Sequence, residues 1–481
     1  MKVSLVEAES GQCVASAHYP DNEAPIKALQ PGWAEQHPED WWQYFKMALQ
    51  KATSTLNSQL STLNSIAAIG ISYQMHGLVC LNKDLQPLRD AIIWCDSRGV
   101  PHGQKAFDEL GHEYCLNHLL NAPGNFTASK LAWVKENEPV LFDKIRYIML
   151  PGDYLALRLT GIPATTACGL SEMMLWDYSA NSHASSMMDY FGFPQSILPP
   201  LVPTFGEQGH LTEMVAKELG LKAGIPVTYR AGDQPNNALS LRVLHPGEIA
   251  STAGTSGVVF GIENNNSTTQ QFNNSTRINA FLHVNHNLGL MHCINGCGIL
   301  NSWLKHNMVT GLTYEQMNDL AATVPVGSNG VSIIPFGNGA ERVLGNQDIG
   351  ASIHGLNFNR HTQAHLLRAA QEGVAFAFMY GMELMGEIKE IHAGKANMFL
   401  SPIFRDTLAS ISGATIHLFD TDGSVGAARG AGLGANIYAN ENEAFASLKQ
   451  LATIEPRRDY MAPLKEAYER WKQILKQQLN S

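Results

Sequence analysis

Short apolar runs punctuated by polar turns alternate with helical repeats along this chain, which is the pattern of an α/β protein. Val3, Leu5 and Val6 precede Glu9-Ser10-Gly11, and Cys13-Val14-Ala15 follows, predicting an opening β-hairpin. At His37-Pro38-Glu39-Asp40 a helix is predicted to begin, with Pro in the first turn and acids near the positive end of the dipole. Trp41, Phe45, Ala48 and Leu49 then recur on one face. Ser65 to Ser72 reads as a buried parallel strand that delivers Gln74-Met75-His76-Gly77 at its C-terminal end, where open α/β sheets place ligands. A second run, Ala91-Ile92-Ile93-Trp94, ends in Cys95-Asp96-Ser97-Arg98.

Between 225 and 260 the theme returns. Pro226 to Arg230 leads into Ala231-Gly232-Asp233-Gln234, and Gly247 to Phe260 reads as a strand, a tight Gly turn and a returning strand. The last third carries helical patterns over His365–Met385 and an amphipathic tail over Pro463–Leu479. With 481 residues two domains are expected, and no low-complexity linker divides them. The boundary is placed near 235–247, giving domains of 1–240 and 241–481.

Composition narrows the function. A chain that is 44% hydrophobic and 16% charged is an ordinary globular protein. A net charge of -10 argues against nucleic acid or an anionic membrane as partner. No apolar stretch is long enough to span a bilayer, and acidic Glu7 and Glu9 do not suit a signal peptide, so a cytoplasmic location is expected. Seven scattered cysteines fit reduced thiols; Cys293 and Cys297, four apart, have the spacing of a shared metal but no second pair to complete it.

Asp233 follows an apolar strand through a Gly, so its carboxylate is expected at a strand end. It suits a general base that takes a proton from a hydroxyl, or a turn Asp bonded to its own backbone. In Ala253-Gly254-Thr255-Ser256-Gly257, small residues between two strands expose amides to one point, either as a phosphate cradle or as a plain hairpin turn. It is not a Walker A loop, because no Gly-Lys-Ser/Thr follows. The many small residues of Gly423–Gly434 admit a flat ligand or close helix packing. His76 and Arg98 complete the polar groups at strand ends. No zinc-protease or hydrolase motif is present in the sequence.

Taken together and in order, Gln74-Met75-His76-Gly77, Trp94 to Arg98, Gly232-Asp233-Gln234, Gly254 to Gly257, Gly394-Lys395-Ala396-Asn397 and Gly423 to Gly434 resemble the FGGY carbohydrate kinases. Pro31 to Gln36, Gly124 to Lys130 and Leu150 to Tyr154 extend the likeness over nearly the whole chain, closest in kind to the bacterial xylulokinase branch. The resemblance implies two ribonuclease-H/actin-like domains with an interdomain ATP and sugar cleft. It implies Asp233 as catalytic base, Met75, His76 and Gln234 as sugar contacts, Gly254, Thr255 and Ser256 as a phosphate loop, and Gly394 and Asn397 at the adenosine site. ATP with Mg²⁺ and a small ketose, D-xylulose foremost, would be the ligands, with a homodimer left open. Another family sugar (ribulose, sedoheptulose, gluconate or glycerol) and a catalytically impaired nucleotide sensor are the alternatives.

One departure stands out. Family members begin with a strand and a turn Gly-x-Asp-x-Gly-Thr/Ser-x-x-x-Lys, whose Asp helps organise Mg²⁺ and phosphate. Met1-Lys2-Val3-Ser4-Leu5-Val6 resembles the residues just after that turn, with Lys2 as its Lys. The expectation is that about a dozen residues, one strand plus a turn, precede this sequence; the alternative is a truncation with impaired catalysis. A sheet lacking that central strand would have unpaired edges.

Overall fold

The structure, a computed structural model, describes residues 1–56, 63–263 and 276–480. By its contacts the chain forms two compact units: Met1–Ser240 with Phe281–Asn287 and Thr421–Leu448, and Leu241–Ala280 with Leu288–Asp420 and Lys449–Ser481. The first unit thus takes in two later segments besides residues 1–240. Among the described residues no helix is long and apolar enough to cross a membrane.

In the first unit the hairpin forms as its alternation demands: β1 (Lys2–Val6) pairs antiparallel with β2 (Cys13–His18). α1 (Pro38–Ser54) starts at the expected Pro and buries Trp41, Trp42, Ala48 and Leu49. The strand expected from Ser65 begins later, as β3 (Ile69–Tyr73), because its ladder to β4 (Val227–Gly232) opens at Ile69 opposite Val227. That ladder is parallel and ends with Gly232 opposite Tyr73, so both strands release their chains at the same edge. α2 (Thr127–Asn137) brings Lys130 to the loop after β3, and α3 (Pro151–Thr160), α4 (Ala167–Glu172) and α5 (Asp233–Ser240) pack on the β3–β4 pair. The run Ala91–Trp94 contributes only a two-residue strand, Ala91–Ile92, and leaves Trp94 exposed.

β1–β2 and β3–β4 are separate two-stranded sheets. A cavity of about 570 Å³ is lined by both, including Val3, Leu5, Ile69, Ile71 and Asp233. The glycine-rich helix Gly423–Gly434 lies against β3 and β4. Its small residues serve that packing: a Cβ on Gly430 would stand 2.7 Å from the buried Tyr229 ring, and one on Gly426 2.3 Å from Ser240. Asp422 caps the helix by accepting from the Ser424 and Val425 amides, and Lys2 Nζ lies 2.7 Å from the same carboxylate.

The second unit is built on a seven-stranded sheet. β5 (Glu248–Ala253) and β6 (Gly257–Glu263) form the expected antiparallel pair around Gly254-Thr255-Ser256. With β7 (Asn279–Leu282), β8 (Leu288–Ile294), β9 (Glu390–Gly394), β10 (Thr415–Phe419) and β11 (Gln450–Ile454) the order is β7-β8-β6-β5-β9-β10-β11. The β5–β9 and β9–β10 ladders are parallel, as crossover helices permit. α6 (Gly298–Asn307) follows β8, and α7 (Gln363–Met382) is buried along nearly its whole length. α8 (Pro402–Ser412) packs on α7. α9 (Arg458–Leu479) starts five residues before Pro463, which therefore sits inside the helix at the cost of one helical hydrogen bond. Leu464, Ala467, Tyr468, Trp471 and Leu475 form its buried stripe, and Trp471 Nε1 donates to the Ile333 carbonyl at 2.9 Å.

The fit of the glycine-rich helix is testable. Gly430→Ala forces a methyl into the Tyr229 ring, so it should cost about 1–3 kcal/mol, the range for overpacking. A lowered urea midpoint for the first unit with an unchanged slope is expected; an unchanged midpoint would show that the helix has room to spare.

Candidate active site

The parallel register of β3 and β4 brings the two polar loops of the first unit side by side. Tyr73 leads into Gln74, Met75 and His76, while Gly232 leads into Asp233 and Gln234. Met75 is buried, and its side chain fills the space over Gly232, where a Cβ would meet Met75 Cγ at 2.6 Å. Only Gly lets the two strand ends approach this closely.

Asp233 opens α5 directly after β4, so its carboxylate sits at a helix N-terminus. The side chain reaches solvent, yet the protein crowded around it disfavours the charge and pushes its carboxyl up to about 6. Hydrogen bonds from the Gln234 side chain and from the Gln234 and Asp233 amides pull the other way. Gln234 Nε2 lies 3.3 Å from Asp233 Oδ2. The carboxylate is thus tied to its own turn and still open to solvent.

His76 is held on every side. Its backbone adopts φ 60, a left-handed conformation uncommon outside Gly. The amide donates to Glu172 Oε2 at 3.0 Å, and the carbonyl accepts from Lys130 Nζ at 2.8 Å. Ring Nδ1 lies 3.1 Å from the Glu172 carbonyl, an acceptor only, so Nδ1 carries the proton. The ring sits 4.7 Å from Phe126, edge to face, and 5.3 Å from Phe281. Lys130 also donates to the Ile93 carbonyl at 3.0 Å, and burial lowers its amine to about 7.

Arg98 is structural. It is paired with Asp96 at 2.6 Å and with Glu35 at 2.7 Å, and its guanidinium lies 3.8 Å over the Trp33 ring. Asp96 in turn accepts from the Ala34 amide at 2.6 Å. This buried network fixes the loop around Trp33.

The remaining sequence candidates belong to the second unit. Thr255 and Ser256 are exposed at the tip of the β5–β6 turn. Gly254 and Thr255 accept from the Gly298 and Ile299 amides at 2.9 and 3.1 Å, which fixes the turn to the start of α6. A Cβ on Gly254 would lie 3.6 Å from Asn397 Nδ2, so Gly254 and Asn397 are neighbours. Gly394 ends β9 with open space at its Cα, and Asn397 has φ 53. The Gly254 backbone and the Asn397 side chain are thus adjacent, and Lys395 is exposed next to Gly394.

Among the described residues no group of three or more metal-binding side chains converges. Cys297 is buried, and burial pushes its thiol up to about 12. None of the seven cysteines is in a disulfide. Glu172, Tyr73 and Lys130 are site residues that the sequence reading did not single out. The available signal is a lone charge inside an apolar run, in Leu170-Ser171-Glu172-Met173-Met174-Leu175 and in Ala128-Ser129-Lys130-Leu131-Ala132.

Comparison with known proteins agrees with this arrangement. The N-terminal domain of the FGGY family of carbohydrate kinases matches residues 1–240, and the family's C-terminal domain matches residues 249–436. The xylulose kinase of Bacillus subtilis (strain 168) is 30% identical over 375 residues, covering 76% of this chain and 72% of that protein. That of Escherichia coli (strain K12) is 28% identical over 463 residues, covering 95% and 91%. Among solved structures, a xyloylose kinase from Brucella ovis has a TM-score of 0.87 at 26% identity, covering 99% of this chain and 96% of that one. The xylulose kinase from Rhodospirillum rubrum shares the fold, with a TM-score of 0.85 at 21% identity over 99% of both chains.

The environment of Asp233 sets a direct check. Carbon-13 NMR of aspartate-labelled protein should show one carboxyl titrating near 6 that vanishes in Asp233→Asn. Titration of that signal in the ordinary aspartate range, about 3.9, would show that its surroundings do not disfavour the charge.

Proposed function

Because the chain belongs to the FGGY family of carbohydrate kinases, we propose that it transfers the γ-phosphoryl group of ATP to the terminal hydroxyl of D-xylulose, with Asp233 as general base. The observation that carries this reading is the placement of Asp233: an accessible carboxylate at the shared C-terminal edge of β3 and β4, beside Met75 and His76, with its proton affinity raised towards neutrality. A base that titrates at about 6 is ionised at pH 7 yet still basic enough to take a hydroxyl proton as the oxygen becomes nucleophilic.

In the reaction the sugar oxygen attacks the γ-phosphorus, its proton passes to Asp233, and the bond from the γ-phosphorus to the bridging oxygen breaks to release ADP. Met75 and His76 contact the sugar, and Gln234 orients the Asp233 carboxylate while touching the substrate. Thr255 and Ser256 meet the phosphates, with Gly254 allowing their close approach; Gly394 and Asn397 lie along the adenosine. The protein contributes position and proton transfer, the two demands of a reaction whose covalent change lies between substrates. The described residues provide no cage for a metal. Mg²⁺ would accompany ATP as part of the substrate and would supply positive charge against the phosphates. Thiols outside any disulfide support a cytoplasmic setting for this reaction.

Xylulose is favoured among sugars by the names of the relatives. A gluconate kinase and a glycerol kinase share the fold at 19% and 20% identity, so those substrates belong in the same trial.

Coupled ADP-release assays with D-xylulose, ribulose, sedoheptulose, gluconate and glycerol test the reading, with the highest kcat/KM expected for xylulose. Asp233→Asn should retain ATP and sugar binding while kcat falls by about 10²–10⁴-fold, the usual worth of general-base help. In the wild type, kcat/KM for the sugar should drop as pH falls through about 6, because protonation removes the base. Near-normal kcat in Asp233→Asn, or a rate flat through that range, would remove Asp233 from the mechanism.

A further inference from the structure

Glu172 is the last residue of α4 and is 2% exposed, enclosed by an apolar run that would pack well without a carboxyl group. Burying such a group is unfavourable unless its oxygens are satisfied, and here they are satisfied by the substrate-binding elements themselves. Oε1 accepts from the buried Tyr73 hydroxyl at 2.7 Å, at the end of β3. Oε2 accepts from the His76 amide at 3.0 Å, in the loop that follows. The same residue's backbone carbonyl takes the His76 Nδ1 proton at 3.1 Å. On its other side, Oε1 would be 3.3 Å from a Cβ on Gly232, the residue that precedes Asp233. One side chain thus touches both strand ends and the loop whose left-handed His76 has no conformational preference to hold it there.

We propose that Glu172 is the positioning residue of the sugar site: its carboxyl and carbonyl lock the His76 backbone and ring in the pose that meets the sugar, and its contact with Gly232 keeps Asp233 in register with that pose. This rests on the sugar-kinase reading above. Glu172 acts through His76 and Asp233 and need not touch the substrate.

The electrostatics agree with the geometry. Burial pushes the Glu172 carboxyl up to about 8; the Tyr73 and His76 bonds oppose the shift, while Asp233 and Asp153 add to it. At neutral pH Glu172 is therefore an uncharged acid. The titratable groups facing it are Tyr73 on β3, His76 in the following loop, Asp153 on α3, Cys168 on α4, Asp233 on α5 and Lys130 on α2. Tyr73 and Cys168 are held protonated by burial and carry no charge, and Lys130 is itself lowered to about 7. Loss of the Glu172 proton above about 8 would set a buried anion beside Asp153 and Asp233, and the Tyr73 and His76 bonds that favour the anion would strengthen around it.

The test is a double-mutant cycle in the full chain, Glu172→Ala and Glu172→Gln each made with and without His76→Ala. Steady-state kinetics, calorimetric sugar and ADP binding and the pH profile are read for each. Glu172→Ala should raise the sugar KM about tenfold or more while the ATP KM moves by less than about twofold. On the His76→Ala background the same change should add less than about threefold, because the residue it positions is already gone. Glu172→Gln, which keeps an acceptor for the His76 amide, should cost less than Ala and should keep the fall in sugar kcat/KM through about pH 6 that belongs to Asp233.

A full-sized Glu172→Ala effect in the absence of His76, equal changes in both KM values, or a Glu172→Gln variant as impaired as Glu172→Ala would overturn the proposal. The near-isosteric Gln variant keeps it open to refutation even if the Ala variant fails to fold. If the wild type binds a sugar without phosphorylating it, the kinase reading fails, and the cycle is read from calorimetric sugar affinity. If the wild type binds no sugar at all, both readings fall.

Discussion

Gly232 lies opposite Tyr73 in the parallel ladder between β3 and β4, and the chemistry of the first unit depends on that register. A parallel pair releases both chains at the same edge, so residues far apart in sequence become neighbours without any contact of their own. A slip of one residue would turn each side chain to the opposite face. Met75 would then no longer cover Gly232, and Asp233 would leave the loop that carries His76. The glycine-rich helix protects the register from behind: its close approach to Tyr229 and Ser240 leaves the strands little freedom to shift.

Charge is used sparingly around this edge. Glu172 and Lys130 are buried, and burial moves both towards neutrality, up to about 8 and down to about 7 respectively. Each donates or accepts as a hydrogen-bonding group more than as an ion, and both act on His76, one through its amide and one through its carbonyl. Asp233 differs in reaching solvent, so it alone of these three remains free to exchange a proton with a ligand. The second unit follows another strategy, in which Gly254 and Gly394 leave room at backbone amides and Thr255 and Ser256 add exposed hydroxyls. That division suits a reaction in which one substrate must give up a proton and the other carries most of the charge.

Much of this framework is legible in the sequence for local reasons. The β1–β2 hairpin, α1 and the β5–β6 turn follow from alternation, capping and Gly placement, and they form where those signals put them. Asp233 is recognisable because an apolar run and a Gly place it at a strand end. The helix bounds are less secure: Pro463 reads as a start yet sits inside α9, whose first turn from Arg458 lies ahead of the buried stripe that begins at Leu464. The role of the Gly423–Gly434 segment is ambiguous until Tyr229 is seen beneath Gly430. Glu172 is marked in the sequence only as a lone charge in an apolar run, and its role stays hidden because its partner Tyr73 lies 99 residues away. The β3–β4 register is hidden in the same way, as it joins segments that share no local pattern.

The most direct trial of the account is a crystal structure of the protein with D-xylulose bound and a non-hydrolysable ATP analogue present. The sugar's terminal hydroxyl should lie within about 3.2 Å of an Asp233 carboxylate oxygen, with His76 in contact with the same molecule. A sugar seated away from Asp233, or an Asp233 carboxylate turned wholly onto its own backbone with the sugar in place, would contradict the assignment of this strand edge as the site of phosphoryl transfer.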